Sequence, residues 1–336
     1  MSNQPPIEVP QGAIRLNTDS QKLEFFAQDR WYEMATEEAS GLGGRAFRAA
    51  AGSGGTTIEY WSIATGGTAV DTGFDVSTGV HAAASGGSRT RAVLAGGRSS
   101  AGAPYAQVNN IQYFEMASVS NTIDFGDLVG ARGRHDAHSN NTRMVTGGGQ
   151  SSNNAMDLII IPSTGNGTDF GNLTTGREGT GSCGSPTRAL YAGGNHNPGT
   201  ETSLNIIDYV TMSSTGNALD FGDLTSNRYF TAAMCNTVRS AWAQGYVVPS
   251  GAKTTIDFVT TATLGNAQDF GDAEQSRYGA GKFSSPTRCG FFGGYTTTTY
   301  INEIDINVKS DSNKFGDLSA TGTYPCGFSD VHGGLG

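Results

Sequence analysis

Five short stretches decide the fold: Asp124-Phe125-Gly126-Asp127-Leu128, Asp169-Phe170-Gly171-Asn172-Leu173, Asp220-Phe221-Gly222-Asp223-Leu224, Asp269-Phe270-Gly271-Asp272-Ala273 and Lys314-Phe315-Gly316-Asp317-Leu318. A degenerate sixth copy is read at Gly73-Phe74-Asp75. The phenylalanines at 74, 125, 170, 221, 270 and 315 stand 51, 45, 51, 49 and 45 residues apart, the length of one four-stranded propeller blade. A second motif runs in phase: Thr-Arg, a few small or apolar residues, then glycine. It begins at Thr90-Arg91, Thr142-Arg143, Thr187-Arg188 and Thr287-Arg288, with a weaker copy at Val238-Arg239 and a looser first copy at Phe47-Arg48. Both motifs therefore occur six times.

Between them lie alternating runs such as Ile206-Ile207-Asp208-Tyr209-Val210-Thr211 and Ile58-Glu59-Tyr60-Trp61-Ser62-Ile63. Alternation of β-branched and aromatic residues, bounded by glycine or asparagine turns such as Gly165-Asn166, Gly216-Asn217 and Gly265-Asn266, predicts strands. Each repeat supplies about four of them, one blade. The first repeat lacks an opening strand, and the tail from Gly322 to Asp330 resembles one with nothing after it. If the tail completes the first blade, the ring closes and no sheet edge is left open. The expected architecture is all-β: a six-bladed propeller over residues 39–336, closed by the C-terminal strand, with a small N-terminal β extension over residues 1–38.

Composition agrees. Glycine occupies 49 of 336 positions, and only 15% of residues are charged, which suits many short strands joined by turns. A net charge of −9 argues against nucleic acid, whose phosphates need a concentrated basic face. The N-terminus has neither the basic start nor the apolar run of a secretory signal, and no run of about 18 apolar residues occurs, so a soluble chain made in a cytoplasm is expected. Cys183, Cys235, Cys289 and Cys326 form no close pair and are expected as reduced, buried thiols.

The Arg-led strand, the Gly-Gly turn and the alternating strand after it resemble the kelch repeat, in degenerate form, over residues 44–336. The phenylalanine of Asp-Phe-Gly-Asp-Leu stands where kelch repeats carry tryptophan. The resemblance implies a propeller that binds other proteins.

Residues 11–34 lie outside the repeat and read as three strands, Ile14 to Asn17, Lys22 to Ala27 and Arg30 to Met34. So small a sheet does not bury its apolar residues alone. Ile14, Leu16, Leu23, Phe25, Phe26, Trp31 and Tyr32 are therefore the candidate docking residues. With Gly12, Ile14, Arg15, Asn17, Thr18, Leu23, Glu24 and Trp31 in step, this stretch resembles a module near the start of bacteriophage virion proteins, tail fibres and other appendages. The propeller repeats likewise resemble those of phage structural proteins. These resemblances imply a virion component: partners would be other virion proteins through the N-terminal segment, a host-surface glycan or protein, and further copies of the chain.

Residues that recur in every repeat are expected to build the scaffold. Phe125, Phe170, Phe221, Phe270 and Phe315 fill the space between blades, and Arg91, Arg143, Arg188, Arg239 and Arg288 pair with carboxylates or carbonyls of neighbouring blades. Asp127, Asp223, Asp272 and Asp317 are expected to cap turn amides. Departures from the repeat point to binding, so the variable loops carrying Tyr105, His196 and Tyr246 are candidate contact sites. His135-Asp136-Ala137-His138 offers two metal ligands without a third. No phosphate-cradling loop and no nucleophile motif is present, so neither a cofactor, a metal nor an enzymatic activity is expected. The leading expectation is a non-enzymatic virion protein; the alternatives are a kelch-like intracellular scaffold and a propeller lectin or carbohydrate-active enzyme.

Overall fold

A computed structural model describes residues 10, 12–17, 22–27, 30–33, 44–52, 55–99, 105–197, 201–295 and 298–335. The chain divides into two units, Met1–Gly43 and Gly44–Gly336.

The first unit is an antiparallel meander of Ile14–Asn17, Lys22–Ala27 and Arg30–Glu33. Met34, expected at the end of the third strand, lies outside the described residues. The register sets Ile14 opposite Phe25, Leu16 opposite Leu23 and Phe26 opposite Trp31. Arg15 binds the buried Glu24 at 2.7 Å and lies over the Trp31 ring at 4.1 Å, while Phe26 meets Trp31 edge-on. Two of the expected docking residues, Phe26 and Trp31, thus pack against each other, whereas Ile14 is 63% exposed.

Among its described residues the second unit is all-β apart from one 3-10 turn at His332–Gly334, and it has a propeller-like arrangement. Its first sheet consists of Ala84–Gly87, Arg91–Ala95, Asn110–Glu115 and Ile123–Asp127. The second is Asp136–Ser139, Arg143–Gly147, Ala155–Ile160 and Thr168–Asn172. The third is Gly181–Gly184, Arg188–Ala192, Ile206–Thr211 and Leu219–Asp223. The fourth is Ala232–Cys235, Arg239–Ala243, Gly251–Thr260 and Gln268–Arg277, with Tyr246–Val247 added against Gly251. An eight-stranded sheet follows, in the order Gly281–Phe283, Arg288–Phe292, Tyr300–Asp305, Asn313–Asp317, Gly66–Asp75, Gly55–Ser62, Arg45–Ala51 and Cys326–Ser329. Its two halves are joined into one sheet by the parallel pairs Gly316↔Gly67 and Asp317↔Thr68. The tail strand Cys326–Ser329 pairs antiparallel with Arg45–Ala51, as the missing opening strand required.

The recurring phenylalanine has a geometric reason. Where the third and fourth strands of a sheet pair, the register slips: Ile111 faces Gly126 and Gln112 faces Asp124, leaving Phe125 as the extra residue of a β-bulge. The same slip leaves out Phe170, Phe221, Phe270 and Phe315. Phe125, Phe170, Phe221 and Phe270 are buried and Phe315 is half-buried. Each apolar cluster joins one sheet to the next, as Val93, Ile111 and Phe125 do with Ala137, Met144 and Ile159. The glycine after the phenylalanine receives the turn of the following sheet. A Cβ on Gly171 would stand 2.3 Å from the Gly216 carbonyl oxygen, and Gly126, Gly222 and Gly271 meet Gly165, Gly265 and Ser310 in the same way.

Two sequence expectations are corrected at these junctions. Among the described residues no turn amide donates to Asp127, Asp223, Asp272 or Asp317; the backbone amides at this repeat position are themselves capped, as the Asp127, Asn172 and Asp223 N–H groups donate to the side chains of Asn166, Asn217 and Asn266. Asp272 and Asp317 instead accept from the hydroxyls of Thr254 and Thr299. The degenerate copy is also read one residue out of register. Asp75 N–H donates to Asn121, which makes Asp75 the counterpart of Asp127 and puts Phe74 in the glycine position, 40% exposed.

The repeat arginines reach forward to backbone carbonyls. Arg91, Arg143, Arg188, Arg239 and Arg288 donate to Ile161, Met212, Thr261, Ile306 and Ile63 at 2.7–3.0 Å. In the first repeat the role falls to Arg45, which donates to Met116, and not to Arg48, the residue the looser motif suggests. A second set, with no expected role, lies deeper: Arg132–Asp157, Arg177–Asp208 and Arg228–Asp257 are buried ion pairs at 2.6, 3.0 and 2.6 Å. Arg277 bonds Asn302 at the same position. After Leu318 the series has Gly322 in place of arginine, and there Arg48 enters from the adjoining strand to pair with Glu59 and donate to Ala320.

The first strands of the sheets, Ala84–Gly87, Asp136–Ser139, Gly181–Gly184, Ala232–Cys235 and Gly281–Phe283, neighbour one another in order. Cys326–Ser329 links the last of these back to the first. Just before these strands stand Ala82, Arg134, Gly179, Phe230, Gly279 and Tyr324, all with φ between 51° and 65°. Each N–H donates to the carbonyl of the one before: Arg134 to Ala82, Gly179 to Arg134, Phe230 to Gly179, Gly279 to Phe230 and Tyr324 to Gly279. Ala82 donates to Tyr324 at 3.3 Å and closes the cycle. Four of the six are not glycine, and a left-handed backbone costs each of those about 1–2 kcal/mol. The cycle of hydrogen bonds is what holds them there.

Candidate functional site

This cycle frames the mouth of a pocket. Arg134, Phe230 and Tyr324 line the opening, with Ala82, Gly179 and Gly279 leaving gaps between them. The floor is an ion pair across the axis: Lys282 meets the Asp136 carboxylate from a strand three places round the ring, and also donates to the Ser182 carbonyl at 2.7 Å. Ser182 N–H donates to the same carboxylate at 2.7 Å, so the charge of Asp136 is met from two sides.

Beyond that pair lies a second chamber lined by His138, Ser139, Cys183, Cys235, Ser284 and His332. The segment after the last strand closes it. His332 Nε2 lies 3.0 Å from Ser139 Oγ, Gly333 N–H donates to the Ser284 carbonyl, and Leu335 packs beside Cys183, Cys235 and Trp242. All four cysteines are free and buried, and burial pushes Cys289 and Cys326 up to about 12, far from thiolate chemistry at neutral pH.

At the open end, aromatic rings spread from the mouth over one sector. Phe230 contacts Tyr229 and Tyr324 at 4.9 Å, Tyr246 bridges Tyr229 and Tyr278, and Tyr278 stacks on Tyr295 at 4.8 Å. Tyr295 is 50% exposed. These rings occupy repeat positions that hold other residues elsewhere. The bridge Tyr229↔Tyr246 and the bridge Tyr278↔Tyr295 stand where the third sheet has Glu178↔Asn195. Burial pushes the Tyr229 hydroxyl up to about 12, and burial also raises Tyr278 and Tyr324, so these hydroxyls remain protonated donors.

Charge is concentrated at the opposite sector. Arg134 binds Glu178 at 2.8 Å and lies over the Phe230 ring at 5.8 Å. Arg98 lies over Tyr105 at 5.2 Å, and among the described residues no side chain or carbonyl accepts a hydrogen bond from its guanidinium. Burial, then repulsion from Arg134, lowers the Arg98 pKa, so two cations crowd one rim.

The three variable-loop candidates all lie on this face. Tyr105 meets His81 edge-on, Tyr246 sits in the aromatic row, and His196 Nδ1 is 2.6 Å from the Gly176 carbonyl. Arg98, Arg134, Phe230, Tyr278, Tyr295 and Tyr324 escaped the sequence reading. The available signal was a departure from the repeat: tyrosine follows the buried arginine at Arg228-Tyr229 and Arg277-Tyr278, and follows the glycine turn at Gly245-Tyr246 and Gly294-Tyr295.

The histidines His135 and His138 do not converge. His135 is buried with no hydrogen-bond partner on either ring nitrogen, while His138 Nε2 lies 2.9 Å from the Ser185 carbonyl. Among the described residues no three His, Cys, Asp or Glu side chains form a metal-binding group, and no helix is long and apolar enough to cross a membrane. Comparison with known protein families and with curated proteins finds no match, so the resemblances read from the sequence rest on the residues that carry them.

Proposed function

We propose that this chain is a six-bladed, kelch-like propeller and a non-enzymatic virion structural protein, a tail fibre, appendage or decoration. In this reading the N-terminal segment docks it to other virion proteins and the propeller is displayed for contact with a host surface or a neighbouring virion protein. The count of six rests on the cycle from Ala82 to Tyr324, which takes one residue from each repeat. The eight-stranded sheet then counts as two blades. Its parallel contact places the Gly67 carbonyl against Gly316, as the Gly216 carbonyl lies against Gly171 between separate sheets.

The observation that carries the docking role is the N-terminal stretch itself. It resembles a virion-protein module and forms its own three-stranded unit, with Ile14 exposed. The mouth, where aromatic rings and guanidinium groups surround a pocket, is the feature suited to contact.

The test is deletion of residues 1–43. Residues 44–336 are expected to fold and to be missing from purified particles assembled in their presence, with the full chain found there by mass spectrometry. Incorporation of the shortened chain at the full-length level refutes the docking role.

A further inference from the structure

We infer that the mouth of the pocket binds a saccharide carrying a carboxylate, with the sugar ring on the tyrosine platform and the acid group on Arg98 and Arg134. The inference rests on the reading of the propeller as the displayed, contacting part of the chain.

Three features lead to that class of ligand. The first is the platform. Phe230, Tyr278 and Tyr295 stack in a row, and Tyr295 at its end is half in solvent with one face on Tyr278, which leaves its other face for a ligand. A pyranose has one face of C–H groups that settles on such rings and a rim of hydroxyls that bond to phenolic and main-chain groups. Tyrosines already stacked on one another lose little freedom on binding.

The second feature is charge. The whole chain carries −9, yet Arg98 and Arg134 stand together at the mouth beside Glu178, above the Lys282–Asp136 pair of the floor, with Glu201 on the side of Tyr229. Lys282 is engaged by Asp136 and Arg134 by Glu178, which leaves Arg98 as the cation with no carboxylate at contact distance among the described residues, Glu178 acting on it only from farther off. Its planar fork fits a carboxylate in two parallel hydrogen bonds. His81, also at this rim, is held low by burial and by Arg98 and Arg134, so it adds no charge at neutral pH.

The third feature is adjacency. Arg134 lies over Phe230, and Phe230 contacts Tyr324 and Tyr278, so charge and platform form one continuous rim. An acidic peptide would satisfy the guanidinium but would leave the exposed ring faces without a matching surface.

The test titrates the full chain with trigalacturonate, its methyl ester and hexaglutamate, by calorimetry and by saturation-transfer NMR. Saturable binding of trigalacturonate is expected, with the methyl ester weaker by about tenfold or more. Arg98→Gln should weaken the acid by a similar factor and leave the ester unchanged. Tyr295→Ser, at an exposed ring that the fold does not need, should weaken both by about fivefold. Leu264→Ala, remote and exposed, should change neither. Equal affinity for acid and ester, or an unaltered Arg98→Gln variant, overturns the charge assignment. Hexaglutamate binding as tightly as trigalacturonate, or no saturable saccharide binding, overturns the ligand class. None of these results bears on the deletion of residues 1–43, which tests docking separately.

Discussion

Replacing Gly171 by alanine tests how the sheets are joined. The new Cβ would stand 2.3 Å from the Gly216 oxygen, 2.6 Å from its carbon and 3.0 Å from the Asn217 nitrogen, all backbone. Ordinary contact needs roughly 3.4 Å or more, so the two sheets must part by about 1 Å at this point. Three hydrogen bonds cross there: Gly216 N–H to Phe170, Ala218 N–H to Asn172, and Asn172 N–H to the Asn217 side chain at 3.0 Å. At about 1 kcal/mol each they account for about 3 kcal/mol, and alanine at φ +142° adds about 1 kcal/mol more. Gly216→Ala is the matched control, since that glycine also has positive φ, +157°, but a Cβ there meets nothing within 4 Å. The difference between the two variants isolates the clash from the backbone cost and should be about 2–3 kcal/mol. Urea unfolding followed by the buried Trp61 and Trp242 would measure it. If Gly171→Ala unfolds within about 0.5 kcal/mol of Gly216→Ala, the junction does not hold the sheets as described.

Two further outcomes follow from buried polar groups. Arg228→Met leaves Asp257 buried without its cation and should cost about 3–5 kcal/mol, whereas the double variant Arg228→Met with Asp257→Leu should recover much of that loss in the same unfolding assay. His135 is held well below its usual value, first by burial and then by Arg132, so the unfolded chain binds a proton that the folded one refuses. Stability is therefore full above pH 6.5 and falls on acidification below it. The loss from this site between pH 7 and pH 5 shows as a fall in stability on acidification, and a His135→Asn variant should lack that part of the pH dependence.

Much of the scaffold could be read locally. The Phe-Gly pair announces a bulge because only an extra residue turned inward, followed by a residue without a Cβ, fits two sheets together at that point. Asp208 and Asp257 were visible as polar residues inside apolar strands, yet their partners Arg177 and Arg228 went unread, although each stands four residues after the repeat leucine. Arg48 could not have been read in this way, because it supplies from another strand the cation that Gly322 lacks.

The sequence by itself determined the strand content, the repeat length and the junctions between sheets, since these depend on residues close along the chain. Only the tertiary structure decided the site. The positions from Ala82 to Tyr324 share a backbone conformation and no residue type, so nothing marks them before the ring closes. Closure brings Asp136 to Lys282 across 146 positions of sequence and gathers Arg134, Phe230 and Tyr324 around one mouth. Proximity of that kind comes from the geometry of the ring, which no local pattern encodes.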